Sequence, residues 1–505
     1  MVRPRAPSRV EGEPAKHDAR SRTWRLVWPG RIVGAMESER TRHLGLFVVL
    51  GLFAWTAALP PPLDLDMFAH LRIGAWVLEH GRLIREDPFS QQGGPYISYA
   101  WPFSVGASLV FERFGWVGIL VAKCAMFTVA AVLIARLLER REARPWPFLA
   151  LLALALLGML GSLNVRTWIA SIIFLTLTLD RTLEARRTVS ARPLYALPFV
   201  FAIWANLHIQ FVYGLLVVFL LFLEAVHDRF RCRRDGLPPL TVLLVGAACA
   251  LATLLTPFHL GLWRTVLILA TKGGATDAIL ELQAPSFRGI RDWTNLAALA
   301  LAAYAFGRRR EDRAFPYLLL AALAYLTFHA RRDSWTLAIG ATALIPRPRA
   351  TAPRLTPLPV LALIGALALL AGLLGRAGEV SEARYRALEA ASFPEEAAAF
   401  IRGNRLPGPL WNAFNQGAFL IWRLPEHPVS IDGRTDVHDA ARVARNLKTC
   451  NASPGWSSDP ELVRARIVLV PSDFPLAEAL RSHPAWRLLH EDAVACVFAP
   501  RGDVR

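Results

Sequence analysis

A polytopic α-helical membrane protein with a C-terminal extracytoplasmic α/β domain is the fold class this sequence predicts, and three observations predict it. Apolar residues gather into runs of roughly 15–22, the length at which a helix crosses a bilayer. Arginines cluster in alternate loops between those runs, as positive charge does on the cytoplasmic side. Beyond about residue 375 the long runs stop, and short strand-like stretches alternate with helical ones.

Composition agrees with this class. Of 505 residues, 54% are hydrophobic and 19% are charged, whereas soluble domains usually carry about 25% charge. The net charge of +17 is no signal for nucleic acid here, because the excess falls in loops assigned to the cytoplasm. Membrane lipids are the expected surroundings. The five cysteines contain no CxxC pair, which argues against a structural zinc site. Cys450 and Cys496 share the soluble tail, either as a disulfide or as two thiols, one of them on a strand.

Residues 1–43 are basic and contain proline. They are expected to form a disordered cytoplasmic tail, with Met36 as an alternative start. The first span, 44–59, follows Arg31, Arg40 and Arg42. A large outer loop, 60–115, leads to a second span, 116–138, which ends before Arg140, Arg141 and Arg144. Spans at 146–161 and 165–179 return the chain to Arg181, Arg186, Arg187 and Arg192. Spans at 194–207 and 211–226 end before Arg229, Arg231, Arg233 and Arg234. Those at 240–256 and 293–306 end before Arg308, Arg309, Arg310 and Arg313. Those at 315–328 and 334–345 end before Arg347, Arg349 and Arg354, and a last span, 358–374, delivers the tail outside. The transmembrane domain is therefore 44–375, with about eleven helices, and the outer domain is 376–505. The apolar segments 100–111 and 260–271 are too short to span and are expected as interfacial or re-entrant helices on the outer side.

The outer ends of these spans hold an unusual set of ionisable residues. The first outer loop contains Asp64, Asp66, His70 and Arg72, then Asp87. If a helix begins there, Asp66 and His70 lie one turn apart on one face. Later outer loops supply Arg166, then Asn206 and His208, then Glu281, then Arg331 and Arg332. Ionisable groups at this depth are costly and usually face a wet cavity or the bundle interior. Carboxylates suit a general base, histidine a base or metal ligand, and arginine a phosphate. Together they describe transfer from a lipid phosphate to a hydroxyl at the outer face. Each residue also has a plainer use. Asp64 or Asp66 can cap a helix, Asn206 and His208 can hydrogen-bond between helices, Arg331 and Arg332 can anchor lipid headgroups, and Asp87-Pro88 can form a turn.

In the outer loop the pattern Asp64-x-Asp66-x-x-x-His70-Leu71-Arg72-x-Gly74, then His80-Gly81 and Asp87-Pro88-Phe89-Ser90, resembles that of bacterial integral-membrane proteins related to GT-C glycosyltransferases, which often read D-x-D-L-W-W-H-L-x-x-G, then H-G, then D-P-F-S. Trp204-x-Asn206-x-His208, Gly214, Glu281, Arg331-Arg332, Trp411-Asn412, Gly417, Ile431-Asp432-Gly433-Arg434 and Trp486 extend the resemblance over about residues 44–500. It implies a GT-C-like transmembrane domain and a polyprenyl-phosphate sugar donor. It also implies that Asp64 or Asp66 is the base or, with His70, holds a divalent metal such as Mg or Mn. Phe68 and Ala69 replace the tryptophan pair, which would alter stacking of a sugar or lipid.

In the tail, a helix is expected over 394–402, strands over 409–411, 428–431 and 466–470, a helix over 473–482 and a hairpin over 486–499. Asp432 and Arg434 follow the second of these strands. They are either a structural turn with a salt bridge or a recognition site facing the membrane cavity. The function expected is inverting transfer of a sugar from polyprenyl phosphate to an unidentified glycan, lipid or protein acceptor at the outer face of the cytoplasmic membrane. Arg72, Asp87, Arg166, Asn206, His208, Glu281, Arg331 and Arg332 would bind substrate and phosphate. Three alternatives stay open: a transporter or flippase of lipid-linked sugars, a polysaccharide polymerase or ligase, and a non-catalytic envelope assembly factor.

Overall fold

A computed structural model describes residues 29–142, 144–271, 280–346, 380–434 and 436–502. The first helix, α1 (Pro29–Ala58), begins well before residue 44, so the second part of the expected disordered tail is helical. Then follow α2 (Leu65–His80), α3 (Trp101–Glu139), α4 (Pro145–Gly158), α5 (Trp168–Thr188), α6 (Leu197–Leu207) and α7 (Phe211–Phe230). After these come α8 (Pro239–Ala252), α9 (Leu260–Thr271), α10 (Ile290–Arg309), α11 (Ala314–His329) and α12 (Ser334–Leu344). By length and composition, Thr41–Ala58 within α1, α3 and α7 can each cross a membrane, while α4, α8, α9 and α11 are shorter apolar helices. The expected last span, 358–374, lies outside the described residues. Every residue of α12 is buried, Ser334, Thr336 and Thr342 included, so this helix, buried on all sides, runs through the middle of the bundle.

The expected short outer helix at 100–111 and the span at 116–138 are two halves of α3, broken at Gly115 with φ 61° and ψ −153°. L side chains rarely adopt that conformation, which is why glycine stands at the break. The second half-helix starts afresh there, and the Glu382 carboxylate accepts from Trp116 N (2.7 Å) and Val117 N (3.3 Å). That satisfies donors which a helix start leaves open. Against the first half of α3 lies α2. At Gly74 a Cβ would stand 2.1 Å from the Ser104 carbonyl oxygen, so glycine is what permits the close approach.

The tail contains α13 (Glu382–Ser392), α14 (Glu395–Gly403), β1 (Leu410–Asn412), α15 (Gly417–Arg423), α16 (Ala440–Cys450), α17 (Pro460–Arg464), β2 (Ile467–Pro471), α18 (Pro475–Ser482), β3 (Trp486–Glu491) and β4 (Ala495–Pro500). The sheet order is β1-β2-β4-β3, with β1 and β2 parallel and the other pairs antiparallel. The expected strand at 428–431 is not part of it. Instead Val429 N donates to Phe89 O, and Gln91 N donates to Val429 O, each at 2.9 Å. The peptide groups of Ser430 and Ile431 are bonded by the side chains of Asn412 and Arg442. Cys450 and Cys496 are both buried free thiols, not a disulfide.

Two cores meet at the end of the bundle where the tail docks. One fills the helical bundle. The second unites α2, the outer half of α3 and the tail, including Phe68, Trp116, Phe419 and Leu469. Phe68 is fully buried, with ring contacts to Trp116, Phe393, Phe419 and Trp422 at 4.7–5.6 Å. The position expected to stack on substrate is therefore a core residue, and only Ala69 of that pair reaches the cavity described next. Glu389, also buried, accepts from Trp116 Nε1 (2.8 Å) and Arg423 Nη2 (2.8 Å). A polar fastening thus accompanies the apolar one.

Candidate active site

A cavity of about 550 Å³ opens between this end of the bundle and the tail. Among its lining residues are Asp66 and His70 from α2, Arg166 before α5, His208 between α6 and α7, Glu281, and Arg332 between α11 and α12. The tail adds Asn415, Gly433, Arg434 and Asp436. Seven expected site residues, Arg434 among them, separated by up to 368 positions thus come to one place, as does Asp436, which the sequence did not single out.

Arg166 is the hub. Its Nε donates to both oxygens of Asp64 (3.0 and 3.1 Å), and its Nη1 lies 2.5 Å from Glu281 and 3.2 Å from Asp66. Its own burial disfavours the cation, but the three carboxylates outweigh that and raise its pKa. Asp64 also caps α2, accepting from Asp66 N at 3.0 Å, which is the plainer use weighed for it. The two aspartates are not equivalent: the Asp64 side chain is 10% exposed and that of Asp66 43%. Burial, with the Asp66 charge beside it, pushes the Asp64 carboxyl up to about 6 against the pull of Arg166.

Each of the two histidines meets a serine hydroxyl. Ser104 Oγ lies 2.8 Å from His70 Nδ1 and 3.3 Å from Ala100 O. Ser171 Oγ lies 2.7 Å from His208 Nδ1 and accepts from Trp204 Nε1 at 2.8 Å. These contacts fix the orientation of both rings. Burial pushes His70 down to about 4, and burial with the Arg332 charge pushes His208 down to about 3. Both are neutral near pH 7. Only an isolated serine in an apolar helix could have signalled this in the sequence.

Loops hold these groups in register. Asp333 accepts from Gln210 Nε2 (2.7 Å) and Tyr213 OH (2.8 Å). The corner bearing Arg332 is therefore tied to the corner bearing His208. Arg331 does not line the cavity; its N–H donates to Gln283 O (2.9 Å) and braces the Glu281 loop. Arg72 also lies away from the cavity, paired with Glu79 at 2.9 Å. Asn206 accepts from Trp101 Nε1 (3.4 Å) and donates to Leu255 O (2.9 Å), bridging helices.

Asp87 and Asp432 meet through Arg434. Its Nη1 and Nη2 donate to Asp87 at 2.7 and 3.1 Å, and its Nε and Nη2 donate to Asp432 at 2.9 and 2.7 Å. Phe89 and Tyr96 flank the guanidinium. Burial alone would raise the Asp432 carboxyl, yet Arg434 and His438 hold it well below the usual carboxylate range. The two sequence motifs D-P-F-S and D-G-R thus complete one buried ion cluster, and Asp87 is spent on the tail rather than on a ligand.

The expected metal set does not assemble. Among the described residues, the trio of ligand atoms lying within 4.8 Å of one another is Glu396, His490 and Asp492 in the tail. Asp64 is turned onto Arg166, and His70 Nδ1 onto Ser104. The guanidinium of Arg166 already stands where the carboxylates would hold a cation, so this donor set does not fit a divalent metal.

No family model and no curated protein matches the chain. Fifteen chains of solved structure do. One is the crystal structure of ArnT from Cupriavidus metallidurans bound to undecaprenyl phosphate, 14% identical over 91% of this chain and 98% of that one, with a TM-score of 0.29. A score at that level is a loose overall likeness and carries no argument about ligand or reaction.

Proposed function

We propose that the protein is a membrane glycosyltransferase that moves a sugar from a polyprenyl-phosphate donor to an acceptor hydroxyl at the outer membrane face. One observation carries the reading: a single cavity is lined by an accessible carboxylate, Asp66, two neutral histidines, His70 and His208, and a half-exposed cation, Arg332. In this mechanism Asp66 takes the proton of the acceptor hydroxyl. The oxygen attacks the sugar's anomeric carbon from the face opposite the phosphate. The carbon–oxygen bond to phosphate breaks, and its electron pair leaves on the phosphate. Arg332, with the His208 imidazole beside it, stabilises that charge. Arg166 and Asp64 position the Asp66 carboxylate without touching substrate. No metal step is needed, because Arg166 balances the acidic group.

The cavity at this end shares no lining residue with the one at the other end of the bundle, which supports transfer over transport. The test is mass spectrometry of lipids that co-purify with the full chain, joined to a transfer assay using the lipid so found. The wild type is expected to carry a polyprenyl phosphate or its sugar ester. Arg332→Gln is expected to lose it, and Asp66→Asn to retain the sugar ester and lose transfer. Unchanged transfer by Asp66→Asn sinks the reading.

A further inference from the structure

A second cavity, of about 410 Å³, lies at the opposite end of the bundle, where α5 and α7 finish and α8 begins. Trp168 at one end of α5 lines the first cavity and Arg187 at the other lines the second. At 1.5 Å per residue the two sites are about 28 Å apart. The arginine-rich loops assign this end to the cytoplasm.

The carboxylates lining it are all occupied. Glu224 accepts from Arg186 Nε (2.6 Å), Arg186 Nη2 (3.1 Å) and Phe315 N (2.7 Å). Asp228 and Asp235 are both bonded by Arg313. Glu311 accepts from Arg309 Nε at 3.0 Å. One cation is left over. Arg141, in the turn after α3, is 8% exposed, and its buried Nε has no hydrogen-bond partner. Among the described residues its guanidinium makes no hydrogen bond or ion pair. Burial first, then the nearby Arg186 and Arg309 charges, lower it to about 10, so it remains a cation at neutral pH.

A buried guanidinium without a partner is costly and calls for an anion. The fork of Arg141, open to a cavity ringed by further guanidinium groups, suits an oxyanion of phosphate geometry. We propose that this cavity is a second, cytoplasmic-face site for a phosphoryl oxyanion, with Arg141 as its principal ligand. The anion is either a free phosphate group or the phosphodiester of an inner-leaflet lipid.

The experiment uses the purified full chain. In detergent, thermal unfolding is followed against inorganic phosphate, with chloride holding ionic strength constant. In parallel, nanodiscs of pure phosphatidylcholine are compared with nanodiscs containing phosphatidylglycerol. A saturable rise in Tm with phosphate identifies the free anion, and a rise with phosphatidylglycerol alone identifies the lipid. In either arm Arg141→Gln is expected to weaken the effect by about tenfold or more, as loss of a charge-assisted pair does. If Arg141→Gln does not fold, Arg141→Lys decides. It keeps the charge but not the fork, and is expected to bind several-fold more weakly. No response in either arm overturns the proposal, and so does a response that the Arg141 variants leave unchanged.

Discussion

Replacing Arg434 with methionine keeps most of the side chain's volume and removes its charge. Asp87 and Asp432, which are 6% and 0% exposed, are then left without the guanidinium that donates to both. Breaking a buried ion pair by removing one partner costs about 3–5 kcal/mol, and here two carboxylates lose the same partner, so the upper end applies. At about 2–4 °C per kcal/mol for a unit of 150–250 residues, the loss is about 10–20 °C in Tm. Thermal unfolding of the full chain in detergent, followed by tryptophan fluorescence, measures it. Arg445→Met is the control. That side chain is 44% exposed and pairs with Glu461 on the surface, so its loss is expected to cost less than about 1 kcal/mol. Combining Asp87→Asn and Asp432→Asn with Arg434→Met removes all the charges together and is expected to recover most of the loss. A fall in Arg434→Met no larger than in Arg445→Met, or a triple variant as unstable as the single one, refutes the reasoning.

The Asp432 carboxyl is depressed in the folded state, so its contribution to stability is fully present above its ordinary value of 3.8 and is lost as pH falls below that; an acid titration of Tm is expected to show this loss and Asp432→Asn to abolish it. Asp64, raised to about 6, is expected to impose an acid limb near pH 6 on transfer, since its protonation weakens the hold of Arg166 on the Asp66 carboxylate. Arg166→Gln removes a charge that lowers this pKa, so whatever activity remains is expected to have its limb at higher pH; a wild-type limb well below pH 6 would refute the assignment to Asp64. Gly74→Val places side-chain carbons against the Ser104 backbone and is expected to cost about 1–3 kcal/mol of stability, read as a fall in Tm; no fall would show that α2 and α3 can separate freely. Glu382→Ala removes the cap at the break in α3 and is expected to cost about 1 kcal/mol, typical of a lost cap, and to speed proteolysis between the bundle and the tail.

Much of the site was legible in the sequence because membrane burial makes polar residues conspicuous. Asp66, His70, Arg166, His208, Glu281 and Arg332 stand out in outer loops of an apolar chain, and all six line one cavity. Arg72, Asn206 and Arg331 stand out equally, but Arg72 pairs with Glu79, Asn206 bridges to Leu255, and Arg331 lies off the cavity lining, which no spacing rule discloses. Asp87 and Arg434 are 347 positions apart, so their pairing belongs to tertiary structure alone. The break at Gly115 was readable only as two apolar segments with a gap between them. That a tail glutamate fills the gap depends on how the tail docks. Pro428–Ile431 looks like a strand by composition, yet Val429 bonds to Phe89 and Gln91, and Ser430 and Ile431 bond to the side chains of Asn412 and Arg442.

The joint between Trp116 and Glu382 also bears on biosynthesis. The two residues are 266 positions apart in the chain. At roughly 5–20 residues per second of synthesis, the outer loop waits on the order of ten to fifty seconds for the segment that covers it. During that interval Phe68, Trp116 and the open end of the second half-helix lack their partners from the tail, Phe393, Phe419, Trp422 and Glu382. Lipid or a folding helper must shield them until translation is complete, and a chain truncated anywhere before the tail would leave that surface permanently bare.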